Sequence, residues 1–302
     1  MGSGLSAAPA ADGPVAISLV ICTRNRASQL ERCLKTIEQL QCNHPWELVI
    51  VDNGSTDATQ GVIDSLRNSL PCHVSVRVEP TPGLGRARNL GWRTARGEIV
   101  AFTDDDCYPD PSFLRAMLDA FRTNPHLGFL GGQIRLYDPT DYRITIQEHD
   151  RRESLPPRSF IQTGLIQGAN ISFRRAALED VHGFDEMFGA GALFSCEDID
   201  IVARVSAAGW EGAYDPTPVV YHHHGRKTDA EAARLMKQYD RGRGAYYAKG
   251  LLNPVLRVTT LKHWYWSIRF QPYRTTGREL AAACEYWARL GLTVARKMRL
   301  AR

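Results

Sequence analysis

A chain of 302 residues, 43% hydrophobic and 23% charged, has the apolar material for one large core and an appendage, which excludes a disordered chain or a miniature scaffold. Its seven cysteines are odd in number, scattered and without a Cys-x-x-Cys pair, so neither a disulfide framework nor a zinc site is expected, and a reducing cytosol fits best. The net charge of +4 conceals a division: residues 1–225 hold 20 Lys and Arg against 28 Asp and Glu, a net of −8, whereas residues 226–302 hold 17 against 5, a net of +12. No apolar stretch approaches the roughly 18 residues that would span a bilayer, and the basic segment favours anionic partners.

Residues 1–14 read as a disordered small-residue tail without the basic and apolar regions of a signal peptide; Met1, Gly2 and Ser6 fit only the loose myristoylation pattern. Residues 15–22 (VAISLVIC) form a continuous apolar, β-branched run, the pattern of a strand buried on both faces. Leu30, Cys33, Leu34, Ile37 and Leu40 then recur at helical spacing. Residues 46–51 (WELVIV) are a second buried strand, ending in Asp52-Asn53-Gly54; Ser55, Thr56 and Asp57 can cap a helix reaching about Leu70. A weaker strand is expected at 73–79, a helix at 84–96, and a strand at 98–103 (EIVAFT) that runs into Asp104, Asp105 and Asp106. Alternating strands and helices imply an α/β fold with a mostly parallel, Rossmann-like sheet, in which ligands bind beyond the carboxyl ends of the strands. Asp52 and the acidic triplet lie there.

Asp104, Asp105, Asp106 and Asp110 crowd four carboxylates into seven residues, and like charges this close repel by about 1 kcal/mol each even in water. A hard divalent ion, Mn2+ or Mg2+, would relieve that repulsion; a solvated turn capping the next helix is the plainer alternative. Asp52 is placed to cap its own helix, and its carboxylate is acceptor-only. Gly83-Leu84-Gly85 permits close backbone approach, and Arg86 and Arg88 follow within the next helix turn, where anions bind. Glu197 and Asp198 open a helix after a glycine-rich stretch, as acids favoured by the helix dipole or as reactive groups. His222, His223 and His224 end a strand expected at 218–221, with alternation placing His222 and His224 on one face.

In chain order, Cys22 to Arg26 (CTRNR), Val51 to Asp57 (VDNGSTD), Gly83 to Asn89 (GLGRARN), the acidic triplet, Gly168-Ala169-Asn170, Gly183 to Glu186 (GFDE), Glu197 to Asp200 (EDID) and Val220-Tyr221-His222 resemble a family 2 glycosyltransferase with the nucleotide-diphospho-sugar-binding GT-A fold. The resemblance covers about residues 15–225 and implies a catalytic domain there, followed by a basic amphipathic helical extension over 226–302. It implies that Asp198 is the general base, supported by Glu197. Donor binding would fall to Thr23, Arg24, Asn25, Asp52, Gly85, Arg88, Asp104, Asp105 and Asn170, and metal binding to Asp106, His222 and His224. Asp104 would lie near the ribose and Asp105 would be the middle residue of the Asp-x-Asp motif. Arg24 stands where the family usually has Tyr, though a guanidinium can also stack on a base.

The implied reaction is metal-dependent and inverting. It moves a sugar from a nucleotide diphosphate, UDP or dTDP favoured, to a hydroxyl of a saccharide or lipid-linked acceptor, as in polysaccharide biosynthesis. A non-catalytic nucleotide-sugar-binding or scaffold module is the alternative, and a nucleotidyltransferase a third. Residues 138–165 lack a strong period, contain Pro156-Pro157 and read as a long excursion over the site. Helices are expected at 229–249 and 278–299, with Trp264-Tyr265-Trp266 between them. Ten aromatics mixed with 17 basic residues there suit either an anionic membrane surface or packing on the catalytic domain; nucleic acid is a weak third option. The expected location is the cytoplasm, peripheral on the inner face of the membrane.

Overall fold

The computed structural model describes residues 14–300, with side chains to 292; the tail expected at the N-terminus falls almost entirely outside them. Elements follow in the order β1 (Ile17–Thr23), α1 (Ala27–Ile37), β2 (Trp46–Asp52), α2 (Thr59–Leu66), β3 (His73–Val78), α3 (Leu84–Thr94) and β4 (Ile99–Asp104). After β5 (Cys107–Pro109) come α4 (Phe113–Thr123), β6 (Leu127–Leu136), β7 (Glu153–Leu155), β8 (Ile171–Arg174), α5 (Arg175–Asp180), α6 (Glu197–Ala207) and β9 (Glu211–His222). Three helices close the chain: α7 (Asp229–Leu252), α8 (Arg257–Phe270) and α9 (Tyr273–Leu300).

The strands form one mixed sheet in the order β3-β2-β1-β4-β8-β6-β9-β5, with β7 paired to β9. The first four in this order are parallel, and β8 enters antiparallel to both β4 and β6. The apolar runs of β1 and β2 need cover on both faces, and they have it. On one face α1 lays down Leu30, Cys33, Leu34 and Ile37, all fully buried, and α4 adds Phe113, Leu114 and Met117. On the other, α3, α5 and α6 bring Ala87, Leu178, Ile201 and Val202 against Val20, Val49 and Phe102. Each fully buried Leu, Ile or Val contributes about 1.5–3 kcal/mol, so these two layers fix where the strand ends lie.

The expected helices at 229–249 and 278–299 appear as α7 and α9, with α8 between them. Packed against α6 and the 188–194 segment, they share a third apolar cluster with the sheet domain, in which Tyr246, Trp264 and Tyr286 meet Phe188, Phe194 and Ile199. Lys249 pairs with Asp185 at 2.7 Å and Asp200 at 2.6 Å, tying α7 to α6. Inside the three-helix layer Glu279 is fully buried and accepts hydrogen bonds from Trp264 Nε1 (3.0 Å), Arg243 Nε (2.9 Å) and Gln271 Nε2 (2.9 Å). Most of the cost of burying that carboxylate is thereby met. Among the described residues no helix is long and apolar enough to cross a membrane.

Candidate active site

Register brings the strand ends level. Thr23 lies opposite Asp52 and Cys22 opposite Asp104, so the three parallel strands β1, β2 and β4 deliver their last side chains to one edge. Above that edge is a cavity of about 700 Å³. Its floor is Thr23, Arg24, Arg26 and the acidic triplet, one side is Gly168, Glu197 and Asp198, and His222 closes the β9 side. The far wall comes from the C-terminal segment, through Arg226, Leu235, Gln238, Tyr239 and Arg243.

Arg88 joins the two acidic groups that lie about ninety residues apart in sequence. Only 2% exposed, it donates from one terminal nitrogen to Glu197 Oε1 (3.0 Å) and from the other to Asp104 Oδ1 (3.1 Å) and Gly168 O (3.1 Å). Its guanidinium lies 5.8 Å from the Phe102 ring and 5.6 Å from that of Phe184. The planar guanidinium directs several donors outward at fixed angles, so one side chain spans two carboxylates and a carbonyl.

Asp198 sits beside this bridge, accepting from Gly168 N (3.0 Å) and Ile199 N (2.8 Å). Its carboxylate and that of Glu197 stand in the first turn of α6, where the helix dipole favours negative charge. Cys196, just before them, holds a left-handed backbone (φ 78°), a strained conformation for a residue with a side chain, of the kind that concentrates at functional sites. Burial pushes Glu197 up to about 7 even with Arg88 beside it. Burial likewise raises Asp198, against the opposing pull of Arg88.

The acidic triplet divides its work. Asp105 accepts from Thr23 Oγ1 (2.7 Å) and pairs with Arg26 Nε (2.9 Å); burial pushes it up to about 7, outweighing Arg26. Asp106 pairs with Arg26 through a terminal guanidinium nitrogen and has His222 Nε2 at 3.4 Å. Burial opposes its ionisation, but His222 and Arg26 together hold it down at about 2. Burial likewise works against protonation of His222, and Asp106 overrides it and raises His222.

Ligand atoms of Asp104, Asp106, Cys107 and His222 lie within 4.8 Å of one another. Two carboxylates and an imidazole fit a Mn2+- or Mg2+-sized ion. Burial raises the Cys107 thiol well above its ordinary value, so it stays protonated and is a poor ligand. Arg26, which sequence reasoning missed, already occupies one Asp106 oxygen.

Several expected site residues stand away from the cavity. Asp52 does not line it, and its Oδ1 accepts from Ser55 N (2.8 Å), capping the following turn. Asn25, with φ 52°, ties the two neighbouring loops together by accepting from Thr56 N (2.7 Å). Asn170 is fully buried and donates to Gln133 O and Pro218 O (both 2.9 Å). His224 has Nε2 2.8 Å from Tyr142 O and accepts from Arg226 N (3.0 Å). Gly85 is a packing glycine, since a Cβ there would stand 2.7 Å from Phe188 O. The excursion at 138–165 does reach the site: Thr145, Ile146, Thr163 and Gly164 line the cavity, and β7 anchors it to β9.

The chain is 31% identical over 194 residues to an uncharacterised glycosyltransferase of Nostoc, covering 60% of this chain and 58% of that protein. It is 28% identical over 260 residues to the N-acetylglucosaminyl-diphospho-decaprenol L-rhamnosyltransferase of Mycobacterium tuberculosis, covering 72% and 79%. Among solved structures, S. aureus TarS 1-349 in complex with UDP-GlcNAc superposes with a TM-score of 0.64 at 20% identity over 85% of this chain and 74% of that one. The mannosyltransferase PcManGT of Pyrobaculum calidifontis, in complex with GDP-Man and Mn2+, gives 0.62 at 21% over 95% and 81%. The fold is that of the GT-A glycosyltransferases. With its family model matching residues 18–182, more than half its length, the chain belongs to glycosyl transferase family 2.

Proposed function

We propose that the protein is a metal-dependent, inverting glycosyltransferase that moves a sugar from a nucleotide diphosphate to a hydroxyl of a saccharide or lipid-linked acceptor. The single observation that carries this reading is the Arg88 bridge, which gathers Asp104 and Glu197, with Asp198 beside them, into one cavity. A volume of about 700 Å³ suits a nucleotide-sugar. The ligands named with the two solved neighbours, UDP-GlcNAc and GDP-Man with Mn2+, support a donor of this class. The decaprenol-linked diphospho-sugar in the rhamnosyltransferase's name supports a lipid-linked acceptor, met at the inner face of a membrane from the cytoplasm.

In this mechanism Asp198 takes the proton of the acceptor hydroxyl as that oxygen attacks the anomeric carbon from the face opposite the leaving group. The bond from the sugar to the diphosphate breaks in the same displacement, which inverts the centre. A base whose pKa burial has raised is better matched to neutral pH than an ordinary carboxylate. Glu197, fixed on Arg88, orients the first turn of α6. Mn2+ or Mg2+ held by Asp104, Asp106 and His222 would supply positive charge to the departing diphosphate. Thr23, through Asp105, shapes the floor, and Arg24 stacks on the base; among the described residues its guanidinium has no partner. Asp52 caps the turn after β2 outside the cavity, so a UDP donor is supported instead by the UDP-GlcNAc named with the TarS structure. Asn25, Gly85, Asn170 and His224 support the walls from behind.

Purified protein incubated with Mn2+ or Mg2+ and a panel of nucleotide-sugars tests the proposal. The expected result is ion-dependent release of nucleoside diphosphate that falls by about 10²–10⁴-fold in Asp198→Asn with donor binding retained. Binding without turnover under every acceptor would favour a non-catalytic module, and pyrophosphate as the product would make it a nucleotidyltransferase.

A further inference from the structure

Helix α8 is apolar on two opposite sides. Its inner stripe, Leu256, Thr260 and Trp264, is buried against α7 and α9. On the far side Val258, Leu261, Tyr265 and Ile268 recur at i, i+3, i+7 and i+10, a second helical stripe that no described residue covers. Beside it, Trp266 meets the Tyr265 ring edge-on at 5.8 Å and stacks on Phe270 with centroids 5.8 Å apart. At the turn into α9, Phe270 and Tyr273 are 77% and 79% exposed. Most of the large hydrophobic side chains exposed among the described residues fall between Leu252 and Leu292. A helix with apolar residues all round is either buried or in contact with lipid, and a contiguous exposed apolar patch marks an interaction surface.

Charge names the occupant. Residues 254–278 contain no Asp or Glu, while Arg257, Lys262, Arg269 and Arg274 stand exposed among the apolar side chains. Aromatic rings mixed with unopposed cations match the interfacial layer of an anionic bilayer, where rings sit at headgroup depth and each Lys or Arg meets lipid phosphate. The patch also adjoins the cavity. His263 stacks face to face on Phe160 at 3.7 Å, and Thr163 and Gly164, three and four residues further along, line the cavity.

We infer that the outer face of α8, with the α8–α9 turn, seats the protein on an anionic membrane surface. This deepens the peripheral location proposed above by naming the surface that binds, and it rests on the transferase reading only for what is delivered there. A lipid-anchored acceptor would then reach the cavity alongside the Phe160 loop without leaving the bilayer.

Vesicle co-sedimentation of the full chain tests it, with phosphatidylglycerol-containing vesicles beside pure phosphatidylcholine. The wild type should pellet with the anionic vesicles. Val258→Ser/Leu261→Ser/Tyr265→Ser should lower partition by more than about tenfold. Lys262→Gln/Arg269→Gln should lower it by about thirtyfold on anionic vesicles alone. All substituted side chains are exposed, so unchanged thermal melting confirms folding. Undiminished partition in both variants would overturn the inference. So would a concentration-dependent dimer, seen by light scattering without lipid and abolished by the triple substitution, because the patch would then be covered by a second copy. Release of nucleoside diphosphate in the absence of vesicles should be the same in all three proteins; its absence from the wild type would sink the transferase reading and leave the partition result standing.

Discussion

Replacing Arg88 by methionine should destabilise the protein through the charges it leaves behind. Methionine fills the volume of the arginine stem without strain, but Glu197, buried and 3.0 Å from the lost guanidinium, keeps no cationic partner. Removing one member of a buried pair costs about 3–5 kcal/mol. Asp104 is 34% exposed on its side chain and remains solvated, so the expected loss lies near the lower figure, about 3 kcal/mol. For a chain of this size that lowers the melting temperature by about 5 °C. Urea unfolding of the single variants and of Arg88→Met/Glu197→Gln gives the coupling directly, and the double variant should recover about 1.5–3 kcal/mol relative to additivity. The sign with pH follows. Without Arg88 the only large influence lowering the Glu197 carboxyl is gone, so the folded variant holds a proton that the unfolded chain releases at its ordinary value. Its stability therefore falls as pH rises above the ordinary carboxylate range, and its deficit against wild type is larger at pH 8 than at pH 5. Strict additivity in the double variant, or an equal deficit at both pH values, would refute the bridge.

Three further outcomes are expected. Burial raises Asp198 and pushes Glu197 to about 7, so kcat/KM for the donor should climb with pH along an acid limb whose midpoint lies above the ordinary carboxylate range; a limb near pH 4 is incompatible with a buried base. In the C-terminal layer, a Cβ on Gly244 would stand 2.1 Å from Glu279 O, so Gly244→Ala should cost about 1–3 kcal/mol in thermal unfolding. Gly277→Ala, in α9 with nothing within 4 Å of its Cβ, should instead stabilise by about 0.5–1 kcal/mol.

The elements that make the site legible in sequence are those whose signal is local. The runs at 15–22 and 46–51 read as β1 and β2 because a strand buried on both faces needs unbroken apolar residues, and the acid triplet announces itself by position after β4. The strand at 218–221 is only the end of β9, which begins at Glu211; Gly212, Pro216 and Pro218 hide the rest by weakening every local strand preference. Strand β6, with Gly128, Gly131 and Gly132, is masked in the same way. The helix expected to reach Leu70 stops at Leu66, an end that no capping residue marks. Arg88 was legible as a basic residue near a helix start, but its bridging of Asp104 and Glu197 was not, because a pair 109 residues apart in sequence leaves no periodic trace. The same holds for Arg26 on Asp105 and Asp106, and for Leu235, Gln238 and Tyr239 in the cavity wall. Asp52 and Asn170 lie in segments that resemble the family and His224 lies just beyond one, and the structure spends their polar atoms on turns and strand junctions.

That wall has a consequence for biosynthesis. Leu235, Gln238 and Tyr239 stand on a helix that is held in place by α9, whose Tyr286 packs on Phe188 and Phe194. Every acidic group of the cavity has therefore emerged in translation well before the side chain that completes the layer behind its last wall. A polypeptide interrupted ahead of Tyr286 would own all its carboxylates and still present an open cleft, so premature stop codons in this stretch should behave as full losses, not graded ones.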